Sequence, residues 1–506
     1  MHKYLKATFL SIDSYKIMYR LRILMIFCGI NLYLFFSSDV WSQKKAGAPK
    51  DNVLKEYFDD ARFFYDMEDY KEAVFNYLKI YEKMPDNANI NYWIGMCYLN
   101  IPGEEPRAIP YLEKAVKRTT TDYDKNSLTE TKAPLYAYFY LGNAYLSNNQ
   151  PDKALEMYKK FRNHPYFAEH YNARMVDDAI EACERARIIF ANPIIANFEN
   201  LGSIINTSSN DYKPVVSSDE NTIIYMTSLK FYEAIMMSTK KDGQWTTPVN
   251  ISAQVGSDGD CEPACLSSDG KELYLIKKAK GNADIYVSTF DSNHWTLMKP
   301  LGKNINSSRN ETSACLSRDG NTLYFSSDRR GGYGGLDIYK SEKNKNNEWG
   351  TPSNLGRMIN TEKNETNPYI CDDNKTLIFA SEGHLNMGGY DIFVSQWANK
   401  KWGMPVNMGY PINTTANDLY YFPIGKGEVG YMYLNRDGGK GQFDIYRVSN
   451  IVMKYLSDET AQYQDSLKKV VVRDKISNEI VGYIFSIPND STNSQKINSS
   501  NYLIEK

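Results

Sequence analysis

From residue 51 to 190 apolar residues recur every three or four positions, the period of helices that bury one face. Tyr57, Ala61, Phe64, Ala73, Tyr77, Ile80 and Pro85 set a pattern. Ile94, Gly95, Tyr98, Ala108, Leu112 and Ala115 repeat it, with one extra residue in the turn IPGEEP. Tyr138, Leu141, Gly142, Tyr145, Ala154, Tyr158 and Phe161 repeat it again. A small residue in each first helix and an alanine in each second predict helix pairs that approach closely, with the aromatics filling the space between pairs. A further helix over 173–190 caps the stack. After Asn192-Pro193 the period changes to short β-type runs bounded by Asp-Gly and Gly-Gly turns. Second strands are predicted at 223–226, 273–275, 323–325 and 377–379. Third strands carry Asp284-Ile285-Tyr286, Asp337-Ile338-Tyr339, Asp391-Ile392-Phe393 and Asp444-Ile445-Tyr446. Fourth strands surround Trp245, Trp295, Trp349 and Trp402 and lead to an NLG..IN phrase.

Both halves are therefore repeats. The helical spacing over 50–190 is that of three tetratricopeptide repeats, about the fewest that make a stable stack. In the β half, the turn aspartates Asp219, Asp269 and Asp319 stand fifty residues apart. Short antiparallel strands at that period predict a propeller over 193–450, with five blades and six as the fallback. The two ends of this region decide for five. No Trp-x-x-Pro strand follows Asp444, yet PIIANFENLGSIIN at 193–206 matches the phrase that ends every other copy. The missing outer strand of the last blade is thus supplied by the start of the domain, which closes the ring and removes a free sheet edge.

At 506 residues the chain allows two to four domains, and a hydrophobic content of 42% fills real cores. A net charge of −2 argues against nucleic acid as a partner. Arg20 and Arg22 precede an apolar run over 23–36, and Val40 and Ser42 supply the small residues of a cleavage site. This predicts a signal peptide over 1–42, with translation starting at Met1 or Met18, and a periplasmic location; an uncleaved anchor is the alternative. Of the seven cysteines, Cys28 lies in the leader. The other six are predicted as separate buried thiols, because Cys265 and Cys315 occupy the same strand of successive copies.

The phrase LYFSSDRRGGYGGLDIY resembles the repeat of TolB-type periplasmic propellers. The order of export signal, helical repeats, AIEACERARIIFANP, NLGSIINTSSNDYKPVVS and propeller resembles envelope proteins of the PorE type, associated with type IX secretion, over about residues 50–490. The resemblance implies a scaffold whose partners are outer-membrane or periplasmic secretion components. In that family a carboxypeptidase-regulatory-like sandwich and an OmpA-like domain follow. Residues 466–506, with VVVRDKISNEIVGYIFSI, are similar to the opening of that sandwich, or form a disordered tail. No OmpA-like segment is present, so peptidoglycan binding is not implied.

Candidate chemistry is sparse. No G-x-S-x-G occurs, and no histidine recurs beside a nucleophile. Cys-x-x-Cys pairs with zinc spacing are absent too. The expectation is no catalytic residue, no cofactor and no metal. The Asp-Ile-Tyr aspartates are predicted to tie turns to their own blades. SDGDCE, at 257–262, reads as a polar loop between blades and not as a calcium site. Candidate partner contacts are Arg329, Arg330 and Tyr333, on a loop with four glycines, and Asn91, Tyr92 and Tyr136, on the concave side of the helical stack. The polar stretch 121–134 is expected to be a surface loop. The leading reading is a non-enzymatic adaptor for envelope proteins. The alternative is a glycan- or peptide-binding module using the propeller channel, and a weaker one is a hydrolase with its site on propeller loops.

Overall fold

The computed structural model describes residues 50–279 and 281–451, together with the backbone of three strands beyond them. The proposed signal peptide lies outside the described residues. Helices α1 (Lys50–Asp66) and α2 (Tyr70–Tyr81) form the first hairpin, and α3 (Ala88–Leu99) and α4 (Ile109–Ala115) the second. The third is α5 (Ala137–Ser147) with α6 (Pro151–Arg162). A single turn, α7 (Phe167–His170), leads to α8 (Ala173–Ala191), which packs on α6 and caps the stack. Asp69 caps α2 by accepting the Glu72 N–H at 3.3 Å, and Asn87 caps α3 by accepting that of Ile90 at 3.0 Å.

The repeat residues pack as their spacing predicts. Tyr77 stacks on Trp93 of the next hairpin at 6.1 Å between ring centres. A Cβ added at Gly95 would meet the Leu112 side chain at 2.4 Å, and one at Gly142 would meet the Tyr158 ring at 2.4 Å. Both glycines are therefore demanded by close helix approach. Residues 121–132 form the surface loop expected, a run of turns with most residues exposed. Thr119–Thr120 pairs in parallel with Ala133–Pro134, and the segment between them folds back over the concave face of the stack.

The β half is a five-bladed propeller. Each blade is an antiparallel sheet in chain order: Asp211–Val216, Thr222–Ser228 and Glu233–Lys241 open the first, and Cys261–Leu266, Glu272–Ala279 and Asn282–Asp291 the second. Blades three and four begin with Glu311–Leu316 and Glu365–Ile370. Blade five runs Phe422–Ile424, Val429–Leu434, Asp444–Ser449, and its outer strand is Asn197–Asn200 from the start of the domain. Asn200 faces Tyr446 and Asn197 faces Ser449, so the ring closes where the displaced phrase predicted. A second latch spans the same seam: Arg447 grips Glu220 of blade one with both arms, at 2.7 and 3.0 Å, and Tyr431 donates to the same carboxylate at 2.6 Å. This pairing, Arg447 above all, holds the Glu220 carboxyl below its usual range.

The fourth strand differs from expectation in one respect. Trp245, Trp295 and Trp402 extend a hairpin off the end of the third strand, and a separate two-residue strand, such as Val249–Asn250 or Val406–Asn407, then completes the sheet. Beyond the propeller, Ile480–Phe485, Lys469–Asp474 and Tyr502–Glu505 form a three-stranded antiparallel sheet in that order.

Gly142→Ala should cost about 1–3 kcal/mol by overpacking against Tyr158, read as a lower denaturation midpoint of the helical signal. Asn206→Ala should lower the stability of the whole ring by about 1–3 kcal/mol, because it strips the Ile445 N–H and C=O of their shared partner at the closure. Unchanged melting of the propeller in that variant would count against the clasp.

Candidate functional site

The propeller face that carries the Asp-Ile-Tyr turns is built on two sets of buried carboxylates. Asp337 accepts the backbone N–H groups of Tyr333 (2.6 Å) and Gly334 (3.1 Å) and the Asn354 amide (2.7 Å). Asp444 does the same with Lys440, Gly441 and Asn200, and Asp391 with Met387 and Asn407. These three aspartates tie turns to their own blades, as expected; Asp284 of blade two meets only the Asn282 side-chain amide, at 3.4 Å, among the described residues. The second set opens the first strands: Asp211, Glu311, Glu365 and Asp418, with Cys261 in the equivalent place in blade two. Each of the four acids accepts the N–H and hydroxyl of a Ser or Thr four residues earlier. Burial pushes the Asp211 and Glu365 carboxyls up and that of Asp418 up to about 7. Asp391 is driven well up by burial first and by neighbouring Asp418 second, and its Oδ1 lacks a partner.

The candidate contacts predicted from sequence separate on this framework. Arg329 is not a surface residue. Its guanidinium donates to the Ile305 carbonyl (2.6 Å) and pairs with fully buried Glu311 (3.1 Å), with the Phe325 and Tyr339 rings at 4.8 and 5.0 Å. It neutralises a carboxylate inside blade three and is corrected here to a structural role. Arg330 and Tyr333 on the same loop are exposed, Tyr333 beneath the Arg357 guanidinium at 4.6 Å. Asn91 is fully buried and spends its amide on the Pro85 and Asn87 carbonyls, at 2.9 and 2.8 Å. Tyr92 is buried against Trp93 and Tyr123. Both are corrected from surface contacts to buried residues, Asn91 tying the turn before α3 to its own helix and Tyr92 covered by Tyr123 of the 121–134 segment. Tyr136 is half-buried between Phe161 and Tyr171. In the SDGDCE loop, Asp260 pairs with Lys277 at 3.1 Å and Glu262 with Lys213 at 2.5 Å, so these carboxylates meet lysines.

The helical stack rests on this same face. Gln442 of blade five donates to Pro102 at 3.3 Å, in the IPGEEP turn. Thr415 donates its N–H to Asn149 at 3.1 Å and its hydroxyl to the Leu146 carbonyl. Arg185 of α8 donates to the Asn386 carbonyl at 2.7 Å, and Asp178 meets Lys363 at 3.6 Å. Between these contacts lies a cleft of about 960 Å³. Tyr65, Met96, Tyr140, Tyr158 and Met175 line its helical wall; Lys363, Glu382, Asn386 and Asn417 line its propeller wall. The helical wall mixes these rings and methionines with polar and charged groups such as Asn143, Arg174, Asp178 and Arg185, and the propeller wall is mainly polar. Sequence reasoning missed the cleft, although Arg185 sits in the phrase AIEACERARIIFANP. The central channel offers far less room. Tyr420 donates to the Pro214 carbonyl (2.6 Å) and Asn367 to that of Leu419 (2.7 Å). The cavity lined by all five first strands is about 50 Å³, against roughly 300–1,000 Å³ for small-molecule sites. Blade one, where the repeat degenerates to KFYEAIMMS, leaves Leu229, Phe231 and Tyr232 exposed at a hairpin tip, Phe231 at 86%.

A tetratricopeptide-repeat family model matches residues 136–165, the third hairpin. No curated protein matches the chain. Among solved structures, TolB from Acinetobacter baumannii is 16% identical, with a TM-score of 0.35, over 55% of this chain and 69% of that one. TolB from Agrobacterium tumefaciens is 15% identical, with a TM-score of 0.33, over 47% and 76%. An α-L-arabinofuranosidase from Podospora anserina, solved with cellotriose, is 12% identical, with a TM-score of 0.32, over 51% and 94%. Scores this low carry no argument about function, and the five blades stand on their own strand order.

Arg329→Ala should destabilise the protein by about 3–5 kcal/mol, since it strands the Glu311 carboxylate in the blade. Equal denaturation midpoints would contradict the pairing. Asp418 supplies a pH test. The folded chain keeps a proton on it up to about pH 7, while the unfolded chain releases that proton above its ordinary value of 3.8. Its contribution is fully present below the lower value and is lost as pH rises toward 7, with a slope of at most about 1.4 kcal/mol per pH unit. Denaturation of wild type and Asp418→Asn from pH 4.5 to 7.5 should show the slope reduced in the variant.

Proposed function

We propose that this protein is a non-enzymatic scaffold of the cell envelope that grips a segment of a partner protein between its helical stack and its propeller. The cleft of about 960 Å³ carries this reading. Two rigid repeat surfaces face each other across it, locked by Arg185–Asn386, Thr415–Asn149 and Asp178–Lys363. Rigid walls lower the ordering cost of binding, and the aromatic residues of the helical wall supply anchor contacts beside its polar groups. The exposed hairpin tip of Phe231 stands on the same propeller face and offers a second anchor. A periplasmic location and partners from a type IX secretion complex follow from the resemblance in domain order and the leader pattern.

The channel reading, a glycan or peptide bound on the propeller axis, has the less room, as the Tyr420 and Asn367 bridges and the cavity of about 50 Å³ indicate.

A photo-crosslinking residue placed at Met175 in the cleft should capture the same envelope protein as one at Phe231. One at exposed Lys345, on the outer edge of blade three, should capture none. Equal capture from all three positions would remove the cleft from the account. Turnover of glycans or peptides by purified protein, abolished by one acidic substitution, would overturn the scaffold reading.

A further inference from the structure

Three neighbouring loops on the turn face of the propeller carry cations that the fold does not use. Lys303 and Arg309 lie between blades two and three, Arg330 on the turn of blade three, and Arg357 between blades three and four; all four are exposed. Among the described residues none of the four has a carboxylate partner. The local carboxylates are already taken. Asp328 accepts the Asn310 N–H at 2.7 Å and its amide at 3.0 Å, Glu311 is paired with Arg329, and Asp337 ties its own turn. The packing of blade three thus explains Arg329 and leaves its neighbour Arg330 unexplained. Tyr333 exceeds what the turn needs as well. Only its N–H serves Asp337, while its ring lies 39% exposed beneath the Arg357 guanidinium. In blade four the residue with the same bond, Met387, is fully buried beside the contact of Asn386 with α8.

These loops form one surface with the mouth of the cleft. Arg329 joins the first two, donating to the Asn304 and Ile305 carbonyls at 3.5 and 2.6 Å. The second is joined to the third by the Gly335 N–H, which donates to the Lys363 carbonyl at 2.9 Å, and by the Leu336 N–H, which donates to Asn364 at 2.8 Å. Lys363 lines the cleft, as does Arg174 at the start of α8. Each faces a solvated carboxylate, Asp178 at 3.6 Å and Glu362 at 3.7 Å, in pairs that contribute little in water. A basic band therefore runs from Lys303 past Tyr333 to the cleft, and a chain leaving the cleft beside Lys363 passes onto it.

We propose that this band is a docking track for an acidic segment of the polypeptide that the cleft holds. This rests on the scaffold reading and adds to it the charge of the partner and the side by which its chain leaves. Arg330 and Arg357 offer guanidinium forks that match carboxylates two bonds at a time, and Tyr333 adds an aromatic contact beside them. Each exposed pair is weak and screened, so the track works by number and weakens with salt. The helical stack stands on the same face over blades four and five, so a flat anionic bilayer meets the helices before blade three. A flexible chain meets no such obstacle.

The probe is a fluorescent twelve-residue peptide of alternating Glu and Ser, titrated into the full chain by anisotropy, with its Gln-for-Glu counterpart as the neutral control. The Glu peptide should bind saturably, at least tenfold more tightly than the Gln peptide, and should lose at least tenfold on raising salt to about 500 mM. Arg330→Glu with Arg357→Glu should cost at least tenfold. Lys345→Glu with Lys375→Glu, the same change of charge elsewhere on the surface, should cost less than threefold. Failure of the Glu peptide to bind, equal binding of the two peptides, or equal loss in the two double variants would overturn the proposal. Should charge reversal lower the melting temperature, Arg330→Gln with Arg357→Gln replaces it under the same requirement. Cosedimentation with phosphatidylglycerol vesicles that the Arg330 and Arg357 substitutions abolish would assign the band to a bilayer and overturn it too. Crosslinking from Met175 keeps the two ideas apart. Capture from Met175 without peptide binding sinks the track and leaves the scaffold; peptide binding without that capture sinks the scaffold, and with it the link between band and cleft.

Discussion

Each blade of the propeller depends on how its third strand is satisfied where it enters the sheet. In blades two to five one asparagine both accepts the N–H and donates to the C=O of the same isoleucine: Asn306 on Ile285, Asn360 on Ile338, Asn413 on Ile392 and Asn206 on Ile445. In blades three, four and five that asparagine also donates to a second one, Asn354, Asn407 or Asn200, which in turn donates to the Asp-Ile-Tyr carboxylate. The chain of bonds runs from turn to carboxylate to two amides to strand, all of it buried or nearly so. A blade that left any of these groups unpaired would forfeit the desolvation already spent on the rest. Blade one keeps only a reduced form, with Ser252 accepting the Ile235 N–H.

That clasp explains the closure. The last blade has a third strand and no fourth, so its Ile445 and Asp444 need an asparagine pair from elsewhere. Asn200 and Asn206 bring it from the start of the domain, 244 and 239 residues away in sequence. The same act fixes the origin of the helical stack, because Asn197–Asn200 follows α8 after only a few residues. The stack is thereby delivered to the face of the turns, and the cleft follows from the closure.

The seven carboxylates on that face invite comparison with a catalytic or metal-binding ring, but their partners argue otherwise. Turn N–H groups, Ser and Thr hydroxyls and asparagine amides occupy them, and Arg329 offsets the charge of Glu311. Where partners run short, at Asp391 and Asp418, burial favours the protonated acid. These groups hold loops in place. The surfaces left for recognition are the cleft, the basic band beside it on blade three and the exposed tip of blade one.

The order and number of repeats, the closing strand and the role of the turn aspartates were determined by the sequence alone. Their determinants are local or periodic: a glycine that a facing Leu112 or Tyr158 demands, an aspartate three or four residues after the N–H groups it accepts, and a displaced NLGSIIN that lacks a blade of its own. Tertiary structure alone decided where the stack docks, that Tyr123 of the 121–134 loop packs on Tyr92, and that Arg329 turns inward to Glu311. Each of those outcomes joins residues with no period between them: Arg185 to Asn386, Thr415 to Asn149, Tyr123 to Asn89. Polar side chains in such pairs read in sequence as solvated surface, and only the packing of one repeat array against another shows which of them are buried and with what.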